Sequence, residues 1–246
     1  MMRMVLSVVF IVIFLSACSE NDTLSPIHKA DLDLEPLETS AAKKSEPLDQ
    51  DPEDIEEYVE FTIDEEIISL SIRDIPILHQ FLQVQKKPQQ AISEMELKKY
   101  VLGMEEFFIL CFSCYDKQCS YLLLHPDQNK SAFLVADMAA YVNHTFSPDA
   151  TKVAFHFNRP GEAYLVPSHV VVFDLKEWTA VTMRNEVDEA FGLGFTWPIF
   201  SIEWLDDSSL AIDFPDLNEP TEEALDAWTT LEEPPFITET YHLNIE

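Results

Sequence analysis

A chain of 246 residues that is 47% hydrophobic and carries 17 Phe has the apolar material for a substantial core, which excludes disorder throughout. Its formal net charge of −30 repels nucleic acid and anionic lipid head groups, which excludes DNA or RNA binding. The charge is uneven: no Lys or Arg follows Arg184, while acids run from Glu186 to Glu246. A basic partner or divalent cations would suit that surface, and so would plain solubility in a salty compartment.

Met1-Met2-Arg3 is a minimal positive start, and Met4 to Leu15 is apolar apart from one Ser. That run is about half of the ~20 residues a helix needs to span a bilayer, so it reads as the hydrophobic part of a signal peptide. It ends in Leu15-Ser16-Ala17-Cys18, which resembles a bacterial lipobox. The resemblance implies that Cys18 receives a diacylglyceryl group, becomes the first mature residue and is triacylated in a Gram-negative envelope. Several acyl chains anchor stably where one is marginal, since each buried methylene contributes about 0.8 kcal/mol. Ser19 is not the Asp that in this family signals inner-membrane retention, so the outer membrane, facing the periplasm, is expected. An ordinary secretory signal or an uncleaved anchor are the alternatives.

Residues 18–55 mix Pro26, Pro36, Pro47 and Pro52 with Ser, Thr and many acids, and show no sustained period. This is the composition of a tether, which as a flexible coil spans on the order of 30 Å. A globular domain over 56–246 follows, with a β-hairpin and two short helices expected in 56–104 and a β region in 105–246. Tyr58–Ile63 alternates as a half-buried strand, and 67–72 is its hairpin partner across Asp64-Glu65-Glu66. Asp74-Ile75-Pro76 predicts a helix to about Val84, with Asp74 as N-cap and Pro76 in the first turn. Ser93 and Glu96 make a capping box, Met95, Leu97 and Val101 are apolar, and Gly103 stands as a C′ glycine; together they predict a second helix. From Glu105 the pattern turns to β. Phe107–Phe112 is apolar on both faces and should be a central strand, Tyr115–Gln118 a turn, Ser120–Leu124 the return. Ser131–Val135 is expected as a third strand and Tyr141-Val142 as the start of a fourth, in an antiparallel meander.

His144 to Phe155, containing Ser147-Pro148-Asp149-Ala150, leads to Val170-Val171-Val172-Phe173-Asp174-Leu175. The pattern resembles a β-propeller blade of the Ser-Pro-Asp-Gly type, with Ala150 where Gly is usual. A weaker echo runs from Ile202 to Ile212 around Asp206-Asp207, with Phe236–Leu243 as an outer strand. The resemblance covers residues 105–246 in two or three units, too few to close a ring. The expected fold is mainly β: antiparallel blade-like meanders in an incomplete or irregular propeller-like assembly, with a small helical segment before them. Asn185 to Phe191, closed by Gly192, and Pro220 to Leu231 read as helical insertions. The second places Leu225, Trp228 and Leu231 on one stripe and is expected to cover the edge of the last sheet.

Cys114 and Cys119 flank the hairpin loop and face each other across two strands, so a disulfide is expected in an oxidising compartment. Cys111 is left as a small hydrophobe, since a zinc site from these three would need a fourth ligand. The seven His show no metal-ligand spacing, and no nucleophile elbow or phosphate loop is present, so no catalytic residue, metal or cofactor is expected. Phe191, Phe195, Trp197 and Phe200, crowded around Pro198 and two glycines, make a candidate binding loop, with Phe191, Phe195, Trp197 and Trp228 as candidate partner-binding residues; filling the core between adjacent blades is the alternative role. Two functional classes follow. The first is a non-enzymatic envelope lipoprotein that binds or scaffolds a protein with a basic surface. The alternative is an envelope hydrolase or a small-ligand or glycan binder with an acidic cleft.

Overall fold

Period-two alternation and two-residue turns build most of the molecule. A computed structural model describes residues 58–102, 105–127, 129–159, 165–185 and 193–244, all within one compact unit, Asp49–Glu246. The described residues are mainly β, with antiparallel sheets and three short helices.

β1 (Tyr58–Ile63) and β2 (Glu66–Ser71) form the expected hairpin. Asp64 and Glu65 between them both take positive φ, 49° and 69°, the mirror-image turn that follows the twist of paired strands. α1 (Pro76–Gln83) starts with Pro76 in its first turn, but Ile75, not Asp74, occupies the N-cap, and no side chain caps the helix. Ile75 is buried, so packing sets the start of the helix. α2 (Pro88–Ser93) also begins on a proline.

The helix expected after Ser93 is a strand. Ser93 ends α2, its hydroxyl donating to the Gln90 carbonyl, and β3 (Glu96–Leu102) pairs along its whole length with β4 (Glu105–Tyr115). Met95, Leu97 and Val101 fit a period of two as well as a helical stripe, and the apolar β4 decides between them by supplying a pairing partner. The expected boundary between 104 and 105 therefore falls inside a hairpin.

β4 is central, as its two apolar faces predict, and returns through Asp116-Lys117 as β5 (Gln118–Leu124). The expected third and fourth strands are one. β6 (Phe133–Phe146) pairs with β5 through its first half and with β7 (Lys152–Asn158) through its second. β8 (Ser168–Asp174) follows β7 and is flanked by β9 (Thr179–Val181) and later by β11 (Gly194–Trp197). A second sheet runs in the order β10 (Met183–Arg184), β14 (Phe236–Leu243), β13 (Ser209–Pro215), β12 (Ser201–Asp206), with α3 (Glu222–Thr229) between β13 and β14 in the chain. Among the described residues these strands form no closed ring of four-stranded blades; β3 to β8 are one continuous sheet.

Three cores result. One face of the large sheet packs on itself: Phe107 of β4 and Phe155 of β7 lie 6.2 Å apart between ring centroids. Three flat-sheet strand spacings of about 4.8 Å would alone separate these two positions by roughly 14 Å, and their registers lie at opposite ends of β6, so the sheet is strongly coiled. The opposite face is covered at one end by β1, β2 and α1, which bury Leu70, Leu78 and Leu82 against Phe108 and Leu110. At the other end the second sheet covers it, burying Leu210, Ile212 and Phe214 against Val170 and Val172. The two turns alike in sequence also meet, the Asp149 amide donating to Asp207 Oδ1 at 2.8 Å.

Candidate functional site

The C-terminal sheet carries an aromatic surface assembled from three separate segments. Thr221 caps α3 by accepting from the Ala224 amide at 3.2 Å, and Glu222 and Glu223 complement the positive end of the helix. The capped helix buries Leu225 and Trp228. The Trp228 indole donates to the Pro235 carbonyl at 2.7 Å and packs against Phe200 (5.3 Å) and Phe236 (5.1 Å). Those two rings meet edge-on at 4.9 Å. Trp228 is only 5% exposed, whereas Phe200 is 42% and Phe236 51% exposed, with Leu231 and Ile237 also on the surface. Trp228 is thus the floor, and the two Phe rings are the part that faces outward.

The setting is acidic. Asp216, Glu219, Asp226, Glu232 and Glu233 are exposed on the adjoining segments, and no Lys or Arg follows Arg184. Asp213 on β13 accepts from the Ser201 hydroxyl at 2.5 Å and from Thr238 Oγ1 at 2.6 Å. These two bonds hold its carboxyl below the usual range, so it stays charged beside the Phe rings.

Other predicted residues lie elsewhere. Trp197 is buried in the third core, edge-on to Phe214. Phe195 is half-buried, with the Arg159 guanidinium 4.0 Å above its ring and His169 beside it. Cys18 lies outside the described residues, as does the helix expected from Asn185 to Phe191 apart from Asn185 itself. α3 seats Trp228 against Phe200, which precedes the edge strand β12, and against Phe236, which opens β14. Phe236 opens β14 directly after Pro234-Pro235, which is the sequence signal for an aromatic held at a sheet end.

A second group of side chains lies near the β4–β5 turn. Cys114 and Cys119 form a disulfide with Cα atoms 4.1 Å apart. Cys111 is free, with its sulfur 3.4 Å from that of Cys114. It lines a cavity of about 200 Å³ with Glu96, Lys98, Tyr100, Tyr121 and Tyr141. Burial raises the Cys111 thiol pKa, and a hydrogen bond from Tyr121 partly offsets this. Tyr141 is hydrogen-bonded through its hydroxyl to His144 Nδ1. The three sulfurs lie within 4.8 Å of one another, but two are joined to each other.

A larger cavity of about 880 Å³ opens beside β9 and β10 and includes Asp174 and Glu177. Asp174 accepts the amides of Lys176 and Glu177, so its carboxylate is the cap of a turn. No described helix is long and apolar enough to cross a membrane. Comparison of the chain with protein-family models, curated proteins and solved structures gives no match in any of the three.

Proposed function

We propose that this chain is a lipid-anchored envelope module without catalytic activity, whose C-terminal sheet grips a basic, apolar-faced segment of a partner protein. The single observation that carries the reading is the pair of exposed rings, Phe200 and Phe236, seated on buried Trp228. An aromatic patch on a preorganised floor with a charged rim is how binding energy concentrates at protein interfaces. The acids around it select a basic partner and steer its approach. The lipobox-like Cys18 would hold the module at the outer membrane facing the periplasm, with residues 18–55 as the stalk. The blade-like turns at Ser147–Ala150 and Asp206–Ser208 fit an irregular propeller-like assembly presenting this sheet end.

Crosslinking and capture of the lipidated chain from membranes tests the reading. Phe236→Ala should reduce capture about tenfold or more, equivalent to about 1.4 kcal/mol, while the chain keeps its fold. Glu232→Gln with Glu233→Gln should weaken capture less and reduce its salt dependence. Undiminished capture by the Phe236→Ala chain would remove this surface from the function. The second reading, a small-ligand or glycan binder, draws on the cavity lined by Tyr100, Tyr121 and Tyr141. It predicts a Tyr141→Ala defect with the Phe236 surface indifferent.

A further inference from the structure

On a regular strand, residues three apart point to opposite faces, so Cys111 and Cys114 of β4 should be separated by the sheet. They are not. Pairing of β4 with β5 shifts register between Phe112 and Tyr115, and Ser113 adopts φ of 52°. This bulge turns Cys114 to the side of Cys111 and leaves the two sulfurs at 3.4 Å. Cys119 comes across from β5 to the same place, bonded to Cys114. A free thiol therefore lies in contact with one sulfur of an existing disulfide. That sulfur belongs to Cys114, which is exposed, while Cys119 is buried. The segment Cys111-Phe112-Ser113-Cys114 also has the Cys-x-x-Cys spacing in which a local disulfide closes.

We infer that Cys111, Cys114 and Cys119 form an internal thiol–disulfide exchange site, in which the crosslink moves between the β4–β5 hairpin and the Cys111–Cys114 segment. Cys111 releases its thiol proton to solvent, and the thiolate attacks Cys114 Sγ. A Cys111–Cys114 bond forms, the Cys114–Cys119 bond breaks, and its electron pair leaves on Cys119 Sγ, which takes up a proton. The number of thiols and of disulfides is unchanged, so no oxidant or reductant is consumed. The titratable groups around Cys111 are Glu96, Lys98 and Tyr100 of β3, Tyr121 of β5 and Tyr141 of β6, lining the cavity that admits a small reagent. Burial disfavours the Cys111 thiolate and the Tyr121 hydrogen bond only partly offsets this, so the exchange is expected at alkaline pH. In the exchanged form the hairpin is no longer pinned at its turn, so the two forms differ in how freely the β4–β5 end opens.

Alkylation of the native full-length chain in detergent, followed by digestion in acid and mapping by mass spectrometry, tests the site, with Cys18 scored separately. Exchange predicts that at about pH 8.5 iodoacetamide marks Cys119 as well as Cys111, with Cys119 carrying about a tenth or more of the label. The marked Cys119 should occur in chains that hold a Cys111–Cys114 disulfide, and Cys111→Ser should abolish Cys119 labelling. In Cys119→Ser, air oxidation should yield a monomer with Cys111 joined to Cys114. Label confined to Cys111 in the wild-type chain would overturn the inference. So would a Cys119→Ser chain that leaves both thiols free or dimerises through them.

Discussion

At the scale of single residues, His156 is the polar side chain most at odds with its surroundings. It is 5% exposed in β7, and its Nε2 has no hydrogen-bond partner among the described residues. Burial pushes its pKa down to about 4. The folded chain thus binds fewer protons than the unfolded one, whose His titrates near pH 6.5. The neutral side chain is accommodated fully above about pH 6.5, and stability is lost as pH falls from there toward 4, by about 3 kcal/mol at most. His125, His144 and His169 are shifted down by burial too, and act in the same direction. Urea titrations at several pH values should show this slope, and His156→Leu should flatten the largest part of it. Ala150 is a second residue under constraint. The blade-like turn gives it φ of 57°, a conformation that costs a residue with a Cβ about 1–2 kcal/mol. Ala150→Gly removes that cost while adding entropy to the unfolded chain, so a net gain of about 0.5–1 kcal/mol is expected from urea unfolding.

At the scale of elements, the legible parts were those with one interpretation. Tyr58–Ile63, the two-faced Phe107–Phe112 run and Phe236–Leu243 are strands because alternation, flanking turns and apolar content agree. Glu96–Leu102 was not legible, because Leu97 and Val101 satisfy both periods and Ser93 with Glu96 imitates a helix start. Pairing with β4, a contact absent from the local sequence, settles the matter. The length of β6 was hidden for a similar reason: its two halves pair with different strands, so the pattern changes midway. Trp197 and Phe236, both aromatics near the same sheet, separate by element. Trp197→Ala empties a buried position between the sheets and should cost about 3–5 kcal/mol in urea unfolding. Phe236→Ala trims a half-exposed ring and should cost about 1 kcal/mol or less.

For the whole molecule, the distribution of charge and the anchor motif set the function classes. A surface with a formal charge of −30 repels itself as well as anionic partners, so added NaCl should raise the thermal midpoint of the isolated chain while weakening capture of a basic partner. The proposed attachment rests on Cys18. A Cys18→Ser chain should leave the membrane fraction and lack acyl mass at its amino end, as read by fractionation and intact mass spectrometry.

Amino-acid order alone determined the predominance of β-structure, the positions of most hairpins and of the cysteines, and the acidic C-terminal stretch. Each of these is a property of neighbours, readable from period, turn chemistry and composition. Tertiary structure decided that the large sheet coils onto its own Phe-rich face, that Trp228 lies beneath Phe200 and Phe236, and that a bulge at Ser113 brings a third sulfur to a disulfide. Those outcomes depend on which distant segments share a face, and pairing across dozens of residues leaves no local period to read.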